Sequence, residues 1–186
     1  LGSTQNIQAL AALGTNIFAG TYNAGVFIST DNGISWSAVN NGLAGNSLNI
    51  SAFAVSGINL FVCTNSDTSV YLSTNNGTSW VSKSNGLNNL KVSSFAILGS
   101  NIFAGTYAGV QKSSNNGSNW SGAGAFYDWI RSLAIVGTNL FAGSSTGVHK
   151  STNNGLNWVI VNNGLPNYAT VYSLFSFGTI LFAGTG

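Results

Sequence analysis

An all-β fold of repeated four-stranded antiparallel meanders is predicted by three observations. The pattern Ser-x-(Asp/Asn)-x-Gly-x-x-Trp occurs four times, over residues 29–36, 73–80, 113–120 and 151–158. Equivalent positions Ile7, Ile50, Val92, Ile130 and Val171 mark a repeat of 43, 42, 38 and 41 residues. Short apolar strands follow one another between Gly- and Asn-rich turns, with no helical period. A unit of about forty residues holding four strands has the length of one propeller blade. The units fall at about 6–48, 49–90, 91–128 and 129–169, with a partial copy over 170–186. The expected fold is therefore a β-propeller of four full blades plus a half blade, forming a single domain or part of one.

Each element has a reason. Ile7–Leu13 and Asn16–Thr21 are apolar on both faces, as strands sandwiched between neighbouring sheets must be. The tight hairpin Gly14-Thr15-Asn16 joins them, and it returns at Gly57, Gly99 and Gly137 and, shortened, at Gly178. Residues 25–29 form the third strand and residues 36–39 the fourth, with the repeated motif as the turn between them. There the Asx side chain accepts hydrogen bonds from its own turn, Gly supplies a positive φ and Trp fills an apolar slot. The structural residues are Asp31, Gly33 and Trp36; Asn75, Gly77 and Trp80; Asn115, Gly117 and Trp120; and Asn153, Gly155 and Trp158. Positive φ is also expected at the Asn-Gly pairs beginning at Asn32, Asn41, Asn76, Asn85, Asn116, Asn154 and Asn163. After the fourth strand comes a polar turn, Asn40-Asn41-Gly42-Leu43 in the first unit. The third unit replaces it with Gly122-Ala123-Gly124-Ala125-Phe126-Tyr127-Asp128-Trp129, which carries three aromatics and a carboxylate.

The motif resembles the Asp box of BNR/sialidase-type repeats, found in β-propellers such as sialidases, sortilin-like receptors, some xyloglucan hydrolases and fungal lectins. The resemblance implies that the boxes are scaffold at the blade periphery, and that ligands bind where the innermost strands begin, at the central channel or its mouth. The half blade over 170–186 leaves a flat apolar edge open, which isolated proteins avoid, so the chain is expected to be a fragment of a ring of five to eight blades or a module that another chain or copy completes. The chain lacks Met and starts at Leu1, which predicts a removed leader or a piece of something longer.

Composition narrows function. Charged residues are 4% of the chain, so Asn, Ser, Thr and Gly carry its solubility, a balance that suits a secreted or cell-surface protein. Lys83, Lys91, Lys112, Arg131 and Lys150 are scattered, which argues against nucleic acid binding. No run of about eighteen apolar residues suggests membrane insertion. Cys63 is the single cysteine and sits in an apolar strand, so a buried inert thiol is expected. Metal and cofactor sites are not expected, because three of the four boxes carry neutral Asn where Ca²⁺ would want carboxylates.

Glycoside hydrolysis needs two convergent carboxylates. The chain has no Glu; Asp31 belongs to a box, and Asp67 and Asp128 occupy non-equivalent positions. Sialidases use an arginine triad, whereas Arg131 is the only arginine. No catalytic residue is therefore assigned, and the expected role is a non-catalytic recognition or adhesion module for a glycan or a surface protein. Two alternatives stand beside it: a structural repeat protein that self-assembles through its open half blade, and a hydrolase fragment whose catalytic residues lie elsewhere. The position after each phase marker holds Gln8, Ser51, Ser93, Arg131 and Tyr172, varying in chemistry while the framework repeats. Tyr127, Asp128, Trp129, Arg131 and Tyr172 are the ligand-binding candidates, with aromatics for a sugar face and Asp and Arg for its hydroxyls. The competing expectation is a plug in which Phe126 and Trp129 pack between blades. His149 is read as a solvent-facing strand residue, and Asn49 as the most accessible of the sequons at Asn49, Asn76, Asn116 and Asn119.

Overall fold

The computed structural model describes residues 5–64, 70–88, 90–124, 127–167 and 169–186; Asp67 and Phe126 lie outside the described residues. The chain divides into two compact units, Leu1–Ser84 and Asn85–Gly186.

The first unit holds two four-stranded antiparallel sheets. One contains β1 (Ile7–Leu13), β2 (Asn16–Thr21), β3 (Val26–Ser29) and β4 (Ser37–Ala38), and the other β5 (Ile50–Ser56), β6 (Asn59–Thr64), β7 (Val70–Ser73) and β8 (Val81–Ser82), each paired in chain order. Phe18, Val26, Ile50, Leu60, Val62 and Trp80 form the core between them. Cys63 is fully buried in β6, and burial pushes its thiol up to about 12. A 3-10 turn at Gly45–Leu48, absent from the sequence expectation, precedes β5. Its Leu48 carbonyl accepts the Gly25 N–H at 2.8 Å, and the Ser47 hydroxyl meets Tyr71 Oη at 2.8 Å. This turn half-buries Asn49, whereas Asn76, Asn116 and Asn119 are exposed, so the expectation that Asn49 is the most accessible sequon is corrected.

The second unit repeats the pattern with β9 (Val92–Leu98), β10 (Asn101–Thr106), β11 (Gly109–Ser113) and β12 (Ser121–Gly122), then β13 (Ile130–Val136), β14 (Asn139–Ser144), β15 (Gly147–Ser151) and β16 (Val159–Ile160). A two-stranded sheet of β17 (Val171–Phe177) and β18 (Ile180–Thr185) follows. Phe103, Ile130, Leu133 and Leu140 share one core; Ala134, Val148, Val171 and Leu174 share the next. Contact is close enough to require a residue without a side chain. A Cβ on Gly143 would stand 2.7 Å from Val171 Cγ1. The fold is an all-β propeller scaffold of four four-stranded blades and a partial fifth.

The boxes fold as a relay of hydrogen bonds. In the third, Ser113 Oγ donates to Asn115 Oδ1 at 2.9 Å and accepts the Gly117 N–H at 2.9 Å, while the Asn119 N–H donates to Asn115 Oδ1 at 2.9 Å. Asn32, Asn76, Asn116 and Asn154 take φ of 53–56°, as expected. Asn41, Asn85 and Asn163 do not take the expected positive φ; there only the following glycines do, at 94°, 91° and 87°. The fourth strands are two residues long rather than the expected four. The Trp80 and Trp120 N–H groups instead donate to the carbonyls of Asn41 and Asn85, in the turn of the preceding repeat.

Candidate functional site

The variable position after each phase marker has a backbone cause. In every sheet the register of the first strand slips by one residue there, between Ile7 and Ala9, Ile50 and Ala52, Val92 and Ser94, Ile130 and Ser132, and Val171 and Ser173. Gln8, Ser51, Ser93, Arg131 and Tyr172 are thus the unpaired residues of five β-bulges. A bulge frees its residue from the ladder and re-aims the side chain, which is why this position can change chemistry without disturbing the sheet.

In the second unit two successive bulges bring their side chains together. The Arg131 guanidinium lies 3.8 Å from the Trp129 ring centroid and 4.9 Å from that of Tyr172, so one cation is stacked against two aromatic rings. Trp129 is 49% and Tyr172 56% exposed, so the stack faces solvent; Tyr127 is 87% exposed. The plug expectation fails for Trp129, which leans on Arg131 instead of packing between sheets. Phe126, the other residue of that expectation, lies outside the described residues.

Asp128 does not join the stack. Its Oδ1 accepts the Ser145 hydroxyl at 2.5 Å and the Trp129 N–H at 2.7 Å, and Oδ2 accepts the Thr146 hydroxyl at 2.7 Å. Its carbonyl accepts the Gly109 N–H at 2.9 Å. Partial burial works against the charge, but the Ser145 and Thr146 hydroxyls outweigh it and hold the carboxyl below its ordinary range. Asp128 therefore pins the segment that carries Trp129. Because Thr146 donates to Asp128, its oxygen is left to accept from His149 Nε2 at 3.0 Å, which places the imidazole proton on Nε2.

His149 is 6% exposed, which corrects the expectation of a solvent-facing residue. It lies mid-strand, paired with Ala142 on one side and Ile160 on the other, and closed over by Thr146. Burial lowers its pKa, and the nearby Asp128 charge pulls the other way. The signal for this support in the sequence is that Ser145 stands where the corresponding loops of the first and third repeats have Tyr22 and Tyr107. A separate cavity of about 370 Å³ beside Trp120 is lined by box and turn residues and contains none of the five candidates.

The BNR/Asp-box repeat family matches residues 27–38. No curated protein matches the sequence. Among solved structures, the chain is similar to the extracellular domain of BT4673 from B. thetaiotaomicron, at 17% identity and a TM-score of 0.77, covering 97% of this chain and 26% of that one. It is similar to an ancestral GH74 enzyme at 26% identity and a TM-score of 0.69, covering 84% of this chain and 24% of that one. It is also similar to a chain of a nidogen/laminin complex at 13% identity and a TM-score of 0.72, covering 96% and 72%. The chain thus spans about a quarter of the first two of these proteins. Among the described residues no helix is long and apolar enough to cross a membrane. With the box relay in all four complete sheets and these likenesses in fold, this chain is a β-propeller scaffold of BNR/Asp-box repeats.

Proposed function

We propose that the chain is a non-catalytic recognition or adhesion module of a secreted or cell-surface protein. It holds a glycan or a surface protein at Trp129, Arg131, Tyr172 and Tyr127, with Asp128 as their support. The carrying observation is the exposed stack of Trp129, Arg131 and Tyr172 on two adjacent bulges. The non-catalytic part rests on three Asp, no Glu and one Arg in the whole sequence, with Asp128 committed to hydroxyl and amide donors. Binding of the labelled chain to a glycan array and to whole cells tests the reading. Trp129→Ala is expected to weaken binding at least tenfold, roughly the effect of removing an interface anchor, with an unchanged melting temperature. Absence of binding to both overturns it.

A second reading has its own observation. Phe175, Phe177, Ile180 and Phe182 leave one face of the β17–β18 sheet apolar and more than half exposed. In this reading a second copy of the chain covers that face and the protein assembles through it.

A further inference from the structure

We infer that Arg131, stacked against Trp129 and Tyr172, seats a carboxylate from an acidic segment of a partner protein; this rests on the recognition role proposed above. The guanidinium carbon lies 3.8 and 4.9 Å from the two ring centroids, so the rings pack against the group and its N–H groups are what it has left to offer. Among the described residues that edge has neither hydrogen-bond nor ion-pair partner, and Nε is buried without one. Asp128, three residues away in sequence, is already bonded to Ser145, Thr146 and the Trp129 N–H. A cation partly desolvated and unpaired is costly. The group that relieves it is a planar acceptor matching the guanidinium fork, which a carboxylate does in bidentate fashion.

The surroundings favour a protein over a sugar acid as the carrier. A sugar ring stacks on a free aromatic face, but Arg131 already lies over one face of both Trp129 and Tyr172. Exposures of 49%, 56% and 87% at Trp129, Tyr172 and Tyr127 describe open surface rather than an enclosing cleft. Small-ligand sites bury most of the ligand. Clusters of Trp, Tyr and Arg on open surface are the anchors that protein interfaces use. With only three acidic residues in the chain, little negative charge opposes an acidic partner.

The test pans a displayed library of random peptides on the full chain. The expected result is enrichment of Asp or Glu at one position beside apolar residues. A synthetic selected peptide should lose at least about tenfold in affinity on Arg131→Gln. It should lose a similar factor when its own Glu becomes Gln, a measurement on the unaltered chain that holds even if Arg131→Gln fails to fold. Arg131→Lys should restore only part, since charge returns without the fork. Selection of neutral or basic peptides, or undiminished affinity in either neutralised pair, overturns the inference. An array of uronic-acid and sulfated glycans run alongside separates the failures. Glycan binding that depends on Arg131, with no peptide enriched, removes the protein partner and leaves the recognition role standing. No ligand from library or array, and no binding to cells, removes both.

Discussion

Asp31 and the three asparagines in its place show that the box turn requires an acceptor oxygen and not a charge. The Ser35 hydroxyl and N–H and the Ser29 hydroxyl all donate to Asp31, and they hold its carboxyl at about 2. A carboxyl held low in the fold stabilises above its ordinary value of 3.8, and that contribution is lost as pH falls through about 2. Asp31→Asn keeps the acceptor, as Asn75 does toward Ser79 at 3.0 Å. It should leave the melting temperature at neutral pH nearly unchanged and remove part of the loss on acidification from about pH 4 to 2. Melts in that range that superimpose for the two proteins would refute this. His149 has the opposite logic. Its pKa is lowered by burial, so the neutral form belongs to the fold, and protonation of the unfolded chain below the ordinary 6.5 drains stability. Its counterpart in the third sheet is the buried Gln111, so His149→Gln should flatten the stability profile between about pH 7 and 5. Denaturant midpoints that fall equally in both proteins would show that the histidine is not responsible.

Sheets are spaced by what strand two lacks. Gly143 has a Cβ-sized gap to Val171 that is too small to fill, whereas a Cβ on Gly137, in the β13–β14 hairpin, meets nothing within 4 Å. Gly143→Ala should cost about 1–3 kcal/mol by overpacking. Gly137→Ala, at φ 61°, should cost about 1 kcal/mol through backbone strain alone. The prediction fails if denaturant unfolding ranks them the other way. Strands one and two and the boxes were legible in sequence because local chemistry decides them: apolar runs, a Gly turn, and Ser, Asx and Gly in fixed spacing. The fourth strands were overextended because the partner of the Trp80 and Trp120 N–H groups lies in the preceding repeat, which spacing within one repeat cannot show. The same holds at the site. Arg131 and Tyr172 stood out by their variation, but the bulges behind them are properties of strand pairing. The bonds from Ser145 and Thr146 to Asp128, and the burial of His149, depend on a hairpin that comes later in the chain.

At the scale of the whole molecule, a chain with 4% charged residues and a net charge of +2 has little electrostatic repulsion to keep copies apart. Its association is then governed by apolar surface. Phe18 and Phe103, on the second strands of the first and third repeats, are fully buried, whereas their counterpart Phe182 is 54% exposed and pairs across the strands with Phe175, 64% exposed. The two rings lie 6.3 Å apart, flanked by Phe177 and Ile180, on the face opposite Leu174 and Leu181, which pack inward. Contiguous aromatic surface of this kind drives association unless something covers it. The chain should therefore self-associate with rising concentration in sedimentation velocity. Phe175→Asp combined with Phe182→Lys should return it to monomer, and because both side chains are more than half exposed and the new charges are opposite in sign across the strands, the change should cost little stability. A single sharp monomer boundary for the unaltered chain at high concentration would mean that this face does not hold copies together, and would leave Arg131 and its flanking rings as the stronger basis for recognition.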